Sequence, residues 1–230
     1  MTLPRIDTPI FEGNLASTGE AIKFRPFLVK EEKILMLASE SEDFEDMVNA
    51  CAQIITNCCL DKVDGYQLTM FDLQDLFLKI RSKSVGETSD FTLTCGGCQK
   101  STPYTLKLSD MKVLGLDDLP NNFIKISEEM GVQLKWPNAI VAAQIDKLED
   151  DELVAKCIDY VVEGEETFST EDEPIEEVIS FVEGLPIEIM DKIREFFIKM
   201  PRIEHTVEFK CSSCEKDNAV SINGYEHFFG

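Results

Sequence analysis

DFTLTCGGCQKSTPYTLKL at residues 90–108 and EHTVEFKCSSCEKDNAVSI at residues 204–222 are one pattern written twice. Each reads as a strand, a Cys-x-x-Cys, a polar turn and a second strand. The small residues between the cysteines, Gly96-Gly97 and Ser212-Ser213, let the backbone turn sharply enough for both sulfurs to converge. Neither pair completes a tetrahedral site alone. Together Cys95, Cys98, Cys211 and Cys214 supply four thiolates, a closed coordination of the structural kind, and the expected occupant is one zinc ion. A catalytic zinc needs an open fourth position, and four thiolates leave none. A dithiol redox site is the competing chemistry for either pair, but neither pair sits between an apolar strand and a helix. Unpaired structural cysteines are the remaining alternative.

Distance along the chain is the unusual feature, since residues 99–210 lie between the two halves. A metal shared by them closes a loop of about 100 residues, which for a disulfide is worth roughly 4–5 kcal/mol of chain entropy. The pattern therefore predicts an α+β protein: a helical body with a β-rich, zinc-ribbon-like module assembled from two distant knuckles. Residues 1–89 are expected to form an N-terminal β-hairpin plus helices. Residues 90–108 and 203–230 form the cysteine module, and residues 109–202 an inserted mixed α/β, then helical, segment.

Before the first knuckle, IDTPIF and AIKFRPFLV read as two strands around the turn-rich GNLASTGE. Helices follow at 30–40, where Ile34, Leu35, Leu37 and Ala38 are the apolar positions, and at 42–58. The third is the clearest: Thr69 as cap, Asp72 three residues on, and Leu73, Leu76, Phe77 and Ile80 at helical spacing. Strands are expected at 123–127 and 131–135, and helices near 138–147, 150–160, 175–184 and 187–200. The last carries Met190, Ile193, Phe197 and Met200 on one face, widened by Phe196. That stripe suits core packing, with an interface as the alternative. Cys51, Cys58, Cys59 and Cys157 fall mainly on apolar helix positions and read as small buried hydrophobes. His205 suits a supporting or surface role, because the four-cysteine set is already complete.

The 230 residues carry 22 Lys+Arg against 44 Asp+Glu, a net charge of −22. Such a balance opposes a nucleic-acid binder, which needs a basic face, and opposes an anionic membrane surface. Eight of the acidic residues crowd into 163–177, either as a solvated loop or hairpin or as a docking face for a basic partner. The opening MTLPRIDTPIFEGN lacks a charged-then-apolar signal, so the simplest expectation is a cytosolic protein. No phosphate loop, dinucleotide fingerprint or nucleophile elbow is present, and no residue can be assigned a catalytic role from spacing.

Four stretches in a distinctive order carry a resemblance. The first is Phe24-Arg25-Pro26-Phe27-Leu28-Val29-Lys30-Glu31-Glu32-Lys33-Ile34-Leu35. The second is Phe71-Asp72-Leu73 with Leu76-Phe77-Leu78, running into Arg81-Ser82-Lys83-Ser84-Val85-Gly86. The two Cys-x-x-Cys pairs come third, and Asn223-Gly224-Tyr225-Glu226-His227-Phe228-Phe229 closes the chain. In this order they resemble the T4-like bacteriophage baseplate protein family, hub subunits or hub assembly proteins of contractile-tail phages, nearly end to end. The resemblance implies a non-enzymatic protein of tail morphogenesis, made in the host cytoplasm. Its partners would be other baseplate hub proteins, with no small-molecule substrate. The acidic charge and aromatic ending favour a chaperone-like assembly factor that shields hub subunits. A permanent structural subunit of the virion baseplate is the alternative. In the first reading Tyr225, Phe228 and Phe229 form an exposed peg for a partner groove. The other reading folds them back on the zinc-ribbon core. A thiol-disulfide enzyme and a nucleic-acid-binding ribbon are the rivals from other classes.

Overall fold

The computed structural model of the chain describes residues 7–41 and 43–223. Over these residues the protein is α+β, with seven α-helices and several small antiparallel sheets. It divides into two units. One holds the described residues up to Leu114 together with those from Arg202 onward, and the other is Gly115–Pro201.

The first unit opens with the hairpin β1 (Phe11–Asn14) and β2 (Ala21–Phe24). The first strand starts later than the stretch IDTPIF suggests. Pro9 cannot donate to a ladder, and pairing begins with Phe11 opposite Phe24. Helices α1 (Val29–Ser41), α2 (Phe44–Cys58) and α3 (Met70–Ser84) follow. The expected stripe on α3 is fully buried at Leu73, Leu76, Phe77 and Ile80. Thr69 caps it, its hydroxyl accepting from the Asp72 amide at 3.3 Å. Asp72 does not return the bond to the Thr69 amide as a capping box would. Its carboxylate accepts instead from the Thr69 hydroxyl at 2.9 Å and from the Ser17 amide at 2.9 Å. Asp72, in the first turn of α3, thus also ties the β1–β2 turn to that helix.

Helix α1 departs from its expected apolar face. Leu37 is exposed and Ile34 and Leu35 are half-buried, while Glu31 is fully buried. That carboxylate accepts from the Arg25 guanidinium at 3.0 Å and from the Leu28 amide at 2.8 Å. Burial opposes its charge, but these hydrogen bonds outweigh it and hold Glu31 below the usual carboxylate range. A buried charge is tolerated only with such partners.

Two strands, β3 (Thr88–Thr94) and β4 (Ser101–Lys107), then form a hairpin, and the short β5 (Lys112–Leu114) ends this pass. The chain next builds the second unit. An antiparallel sheet of order β6-β7-β8-β9 is made from β6 (Phe123–Lys125), β7 (Met130–Leu134), β8 (Ile158–Glu163) and β9 (Glu166–Ser169). Helices α4 (Ala139–Ala143), α5 (Asp150–Lys156), α6 (Ile175–Glu183) and α7 (Ile187–Ile198) complete the unit. The expected helix over 150–160 stops at Lys156. Ile158, Val161 and Val162 prefer extended backbone and find a partner strand in β7. The buried line of α7 is Ile189, Ile193 and Phe196, with Met190 and Phe197 at its margins. Phe196 stacks flat on Trp136, centroids 3.8 Å apart, which turns the helix toward 196 rather than 197.

Returning to the first unit, β10 (Arg202–Lys210) pairs with β11 (Asp217–Asn223) on one side and β5 on the other. Arg202 lies opposite Leu114, so the strands that leave and re-enter this unit are hydrogen-bonded neighbours. The β3–β4 and β10–β11 hairpins share a core that includes Leu93, Leu106, Ile203, Val207 and Ile222, with Leu78 of α3 packed into it.

Candidate metal centre

The two hairpins are copies in detail. Thr94 pairs with Ser101 beside the first Cys-x-x-Cys, and Lys210 with Asp217 beside the second. Strands β4 and β11 alternate in the same way, each with its one buried side chain, Leu106 or Ile222, at the sixth position. The turns match bond for bond. The Cys95 amide donates to the Lys100 carbonyl at 3.0 Å and the Cys211 amide to the Lys216 carbonyl at 2.9 Å. Gln99 returns a bond to Cys95 and Glu215 to Cys211, both at 3.0 Å. The residue after each second cysteine is left-handed, Gln99 at φ +61° and Glu215 at φ +57°. Those two positive angles among non-glycine residues are the strain of closing a knuckle, a conformation that side chains rarely adopt.

Amide groups inside each knuckle point at sulfur. Gly97 donates to Cys95 Sγ at 3.3 Å and Ser213 to Cys211 Sγ at 3.5 Å. With the Cys98 amide, that bond draws the Cys95 thiol down to about 6 despite its burial. Cys211 is lowered likewise by the Cys214 and Ser213 amides. Cys214 goes the other way. The Lys216 amide favours its thiolate, but the crowding Cys98 and Cys95 sulfurs prevail and push it up to about 11. A shared cation reverses that penalty, because it neutralises the sulfurs that oppose one another.

Tertiary structure brings the knuckles face to face. Cys95 Sγ lies 3.6 Å from Cys214 Sγ, and Cys98 Sγ 3.6 Å from Cys211 Sγ. All four sulfurs fall within 4.8 Å of one another. A disulfide would need about 2.05 Å, and the cysteines are free thiols. Four sulfurs around a metal at about 2.3 Å would stand about 3.8 Å apart, the edge of a regular tetrahedron. The donor set and its spacing therefore fit a metal ion. Cys95 and Cys211 are buried and Cys98 and Cys214 exposed, so each hairpin contributes one inner and one outer sulfur.

Contacts around the sulfurs hold the hairpins in register. Asn218 accepts from the Gly96 amide at 3.0 Å, and Lys100 reaches Ser213 at 3.2 Å. Gly97 lies close against the second knuckle: a Cβ there would meet the Lys216 stem at 2.8 Å, so that side chain would have to shift, and would stand 3.6 Å from Cys214 Sγ. Asn218 was missed by sequence reasoning, and its signal is its position seven residues past Cys211, on the strand leaving the knuckle.

The remaining cysteines lie apart from this group and are buried. Desolvation raises the Cys58 thiol to about 11 and those of Cys59 and Cys157 to about 12. Cys58, Cys59 and Cys157 are therefore held as neutral thiols at neutral pH, which disfavours thiolate chemistry. His205 stands on β10 opposite Ile222, half-buried and outside the sulfur cluster. Tyr225, Phe228 and Phe229 lie outside the described residues. The acidic 163–177 stretch folds as the β8–β9 hairpin and the start of α6. No helix among the described residues is long and apolar enough to cross a membrane.

Comparison with the curated proteins and with the solved structures gives no match. A family model does match: the one described as T4 bacteriophage base plate protein covers residues 8–230. With both knuckles and nearly the whole sequence inside that match, the chain belongs to the T4 bacteriophage base plate protein family.

Proposed function

We propose that this protein is a non-enzymatic factor of phage baseplate hub assembly, chaperone-like in binding hub subunits in the host cytoplasm, and that one structural zinc ion holds its two knuckles together. Membership of the baseplate family over residues 8–230 carries the first part. Its net charge of −22 supports a soluble carrier that self-repulsion keeps apart from copies of itself. The paired 3.6 Å sulfur separations carry the second part. Zinc is the metal because four thiolates in a tetrahedron are its characteristic closed site. Cys95, Cys98, Cys211 and Cys214 would hold it, and its contribution is folding energy rather than reaction chemistry. On this reading neither a thiol-disulfide activity nor nucleic-acid binding belongs to the knuckles, which form a zinc-ribbon-like module.

A second reading, a permanent subunit of the baseplate hub, is favoured by apolar residues standing in solvent. Ile187 and Ile198 at the two ends of α7 are each more than three-quarters exposed, as residues covered in a finished assembly would be. Counting copies by quantitative mass spectrometry, in purified particles and in assembly intermediates, separates the two. The assembly-factor reading expects the protein in intermediates and not in particles. A fixed copy number per mature tail would establish the subunit instead.

A further inference from the structure

The second unit carries a groove of about 310 Å³ between the β8–β9 hairpin and α6. Its floor is apolar, formed by Val161, Phe168, Val178 and Phe181. Phe168 on β9 is 42% exposed, a large ring left half in water. Three carboxylates rim the groove, Glu163, Glu173 and Glu177. None of the three is paired with a lysine or arginine among the described residues, and Lys135 bonds Asp159 and Glu171 instead.

Beside the groove the sheet ends. Among the described residues strand β9 pairs only with β8, so its outer edge offers backbone groups for another strand. Gly164 at φ +61° opens the two-residue loop between Glu163 and Glu166, the conformation such a tight hairpin asks of its first loop residue. The edge and the groove are thus presented by a short, defined hairpin rather than a long loop. Its loop and first edge residue are Glu165 and Glu166, which blunt the edge against a second copy of this acidic chain while leaving it open to a cationic strand.

We propose that this groove is the docking site for an extended, lysine- or arginine-bearing segment of another protein, which seats an apolar side chain against Phe168, Val178 and Phe181. Charge complementarity selects the occupant. Three unpaired carboxylates around an apolar floor favour a cationic segment with an apolar anchor and repel nucleic acid, anionic lipid and like-charged protein. The inference rests on the reading that the protein works by binding other baseplate proteins, and it names the chemistry of the segment bound.

The test uses the full chain, metal-loaded, and three fluorescent peptides read by anisotropy. One alternates lysine with valine and leucine, one alternates lysine with serine, and one alternates glutamate with valine and leucine. The first should bind, and the other two should bind at least about tenfold more weakly. E173Q/E177Q should weaken the first peptide about tenfold, the sum of two exposed ion pairs, and F168S by a similar factor through lost apolar contact. D117N/D118N, an acidic pair of the same unit away from the groove, should leave it unchanged. Equal binding of the lysine-serine peptide, or equal loss in D117N/D118N, would show diffuse attraction to an acidic protein and overturn the proposal. Baseplate intermediates from infected cells separate it from the assembly reading. If the wild type and the groove variants join intermediates equally, the groove is not the docking site, though the assembly role stands. If the peptide results hold but the protein joins no intermediate, the groove stands and the assembly role falls.

Discussion

In the inserted unit, the core runs from Ile124 to Phe196 through one continuous stretch of chain. In the other unit, Leu93 and Leu106 meet Ile203, Val207 and Ile222 from the far side of that insertion. Neighbouring elements of the first core are linked by short connections, and closing each costs little chain entropy. Uniting the second core closes the whole loop between the knuckles at once. Its two hairpins are small, and each offers few apolar side chains to the other. Four sulfurs stand at the hairpin tips, with Asn218 and Lys100 bonded across them, and a metal shared by the sulfurs would supply the connection that so small an apolar surface cannot. The candidate metal site therefore lies where contact order is high and core area is low.

The largest expected effect comes from breaking the sulfur cluster. Cys211→Ser, or a strong chelator, should release the metal, free the β3–β4 and β10–β11 hairpins from each other and open the chain to protease around them. The inserted unit should keep its protection. Metal analysis, limited proteolysis and hydrogen exchange check this, and equal loss of protection in both units would erase the contrast between the two cores. Phe196→Ala attacks the other side. Removing the ring stacked on Trp136 should cost about 4 kcal/mol, read by urea unfolding, with metal content unchanged.

Within the unit of the knuckles, Glu31→Gln leaves the Arg25 guanidinium without its counter-charge and should cost about 3 kcal/mol. Glu31 is held below the usual carboxylate range in the folded protein. Its contribution is therefore present above that range and is lost as pH falls through the folded value. The stability gap between wild type and E31Q should narrow in acid and stay constant from neutral pH upward until Arg25 itself titrates. A gap that widened in acid would mean that Glu31 does not act as a carboxylate. The smallest effect is Thr69→Ala. It removes the cap of α3 and one partner of Asp72, and should cost about 1 kcal/mol in urea unfolding, leaving the metal in place.

Helix α3 is legible in the sequence because its signals are local. A cap three residues from Asp72 and a 3.6-residue stripe need only backbone geometry to be read. The four cysteines are legible because thiolate pairs at knuckle spacing are chemically incomplete and so require one another. Other features need the fold. Leu37 reads as core by composition, yet Glu31 occupies the inside of α1, because Arg25 arrives there from the end of β2. Asp72 reads as half of a capping box, yet it bonds Ser17 from a turn far back in the chain. The helix expected over 150–160 gives way to a strand because β7 is there to pair with it.

Residue type and near spacing were enough to establish the α+β class, the repeat of the knuckle, the identity of the four sulfurs and the acidity of the 163–177 stretch. Folding in three dimensions settled the rest. It pairs β5 with β10 where the insertion departs and returns, and it brings the sulfurs to 3.6 Å. It also makes the acidic stretch a sheet edge beside an apolar groove. These are contacts between residues far apart in the chain. Their geometry depends on how whole elements pack, which residue type and near spacing do not encode.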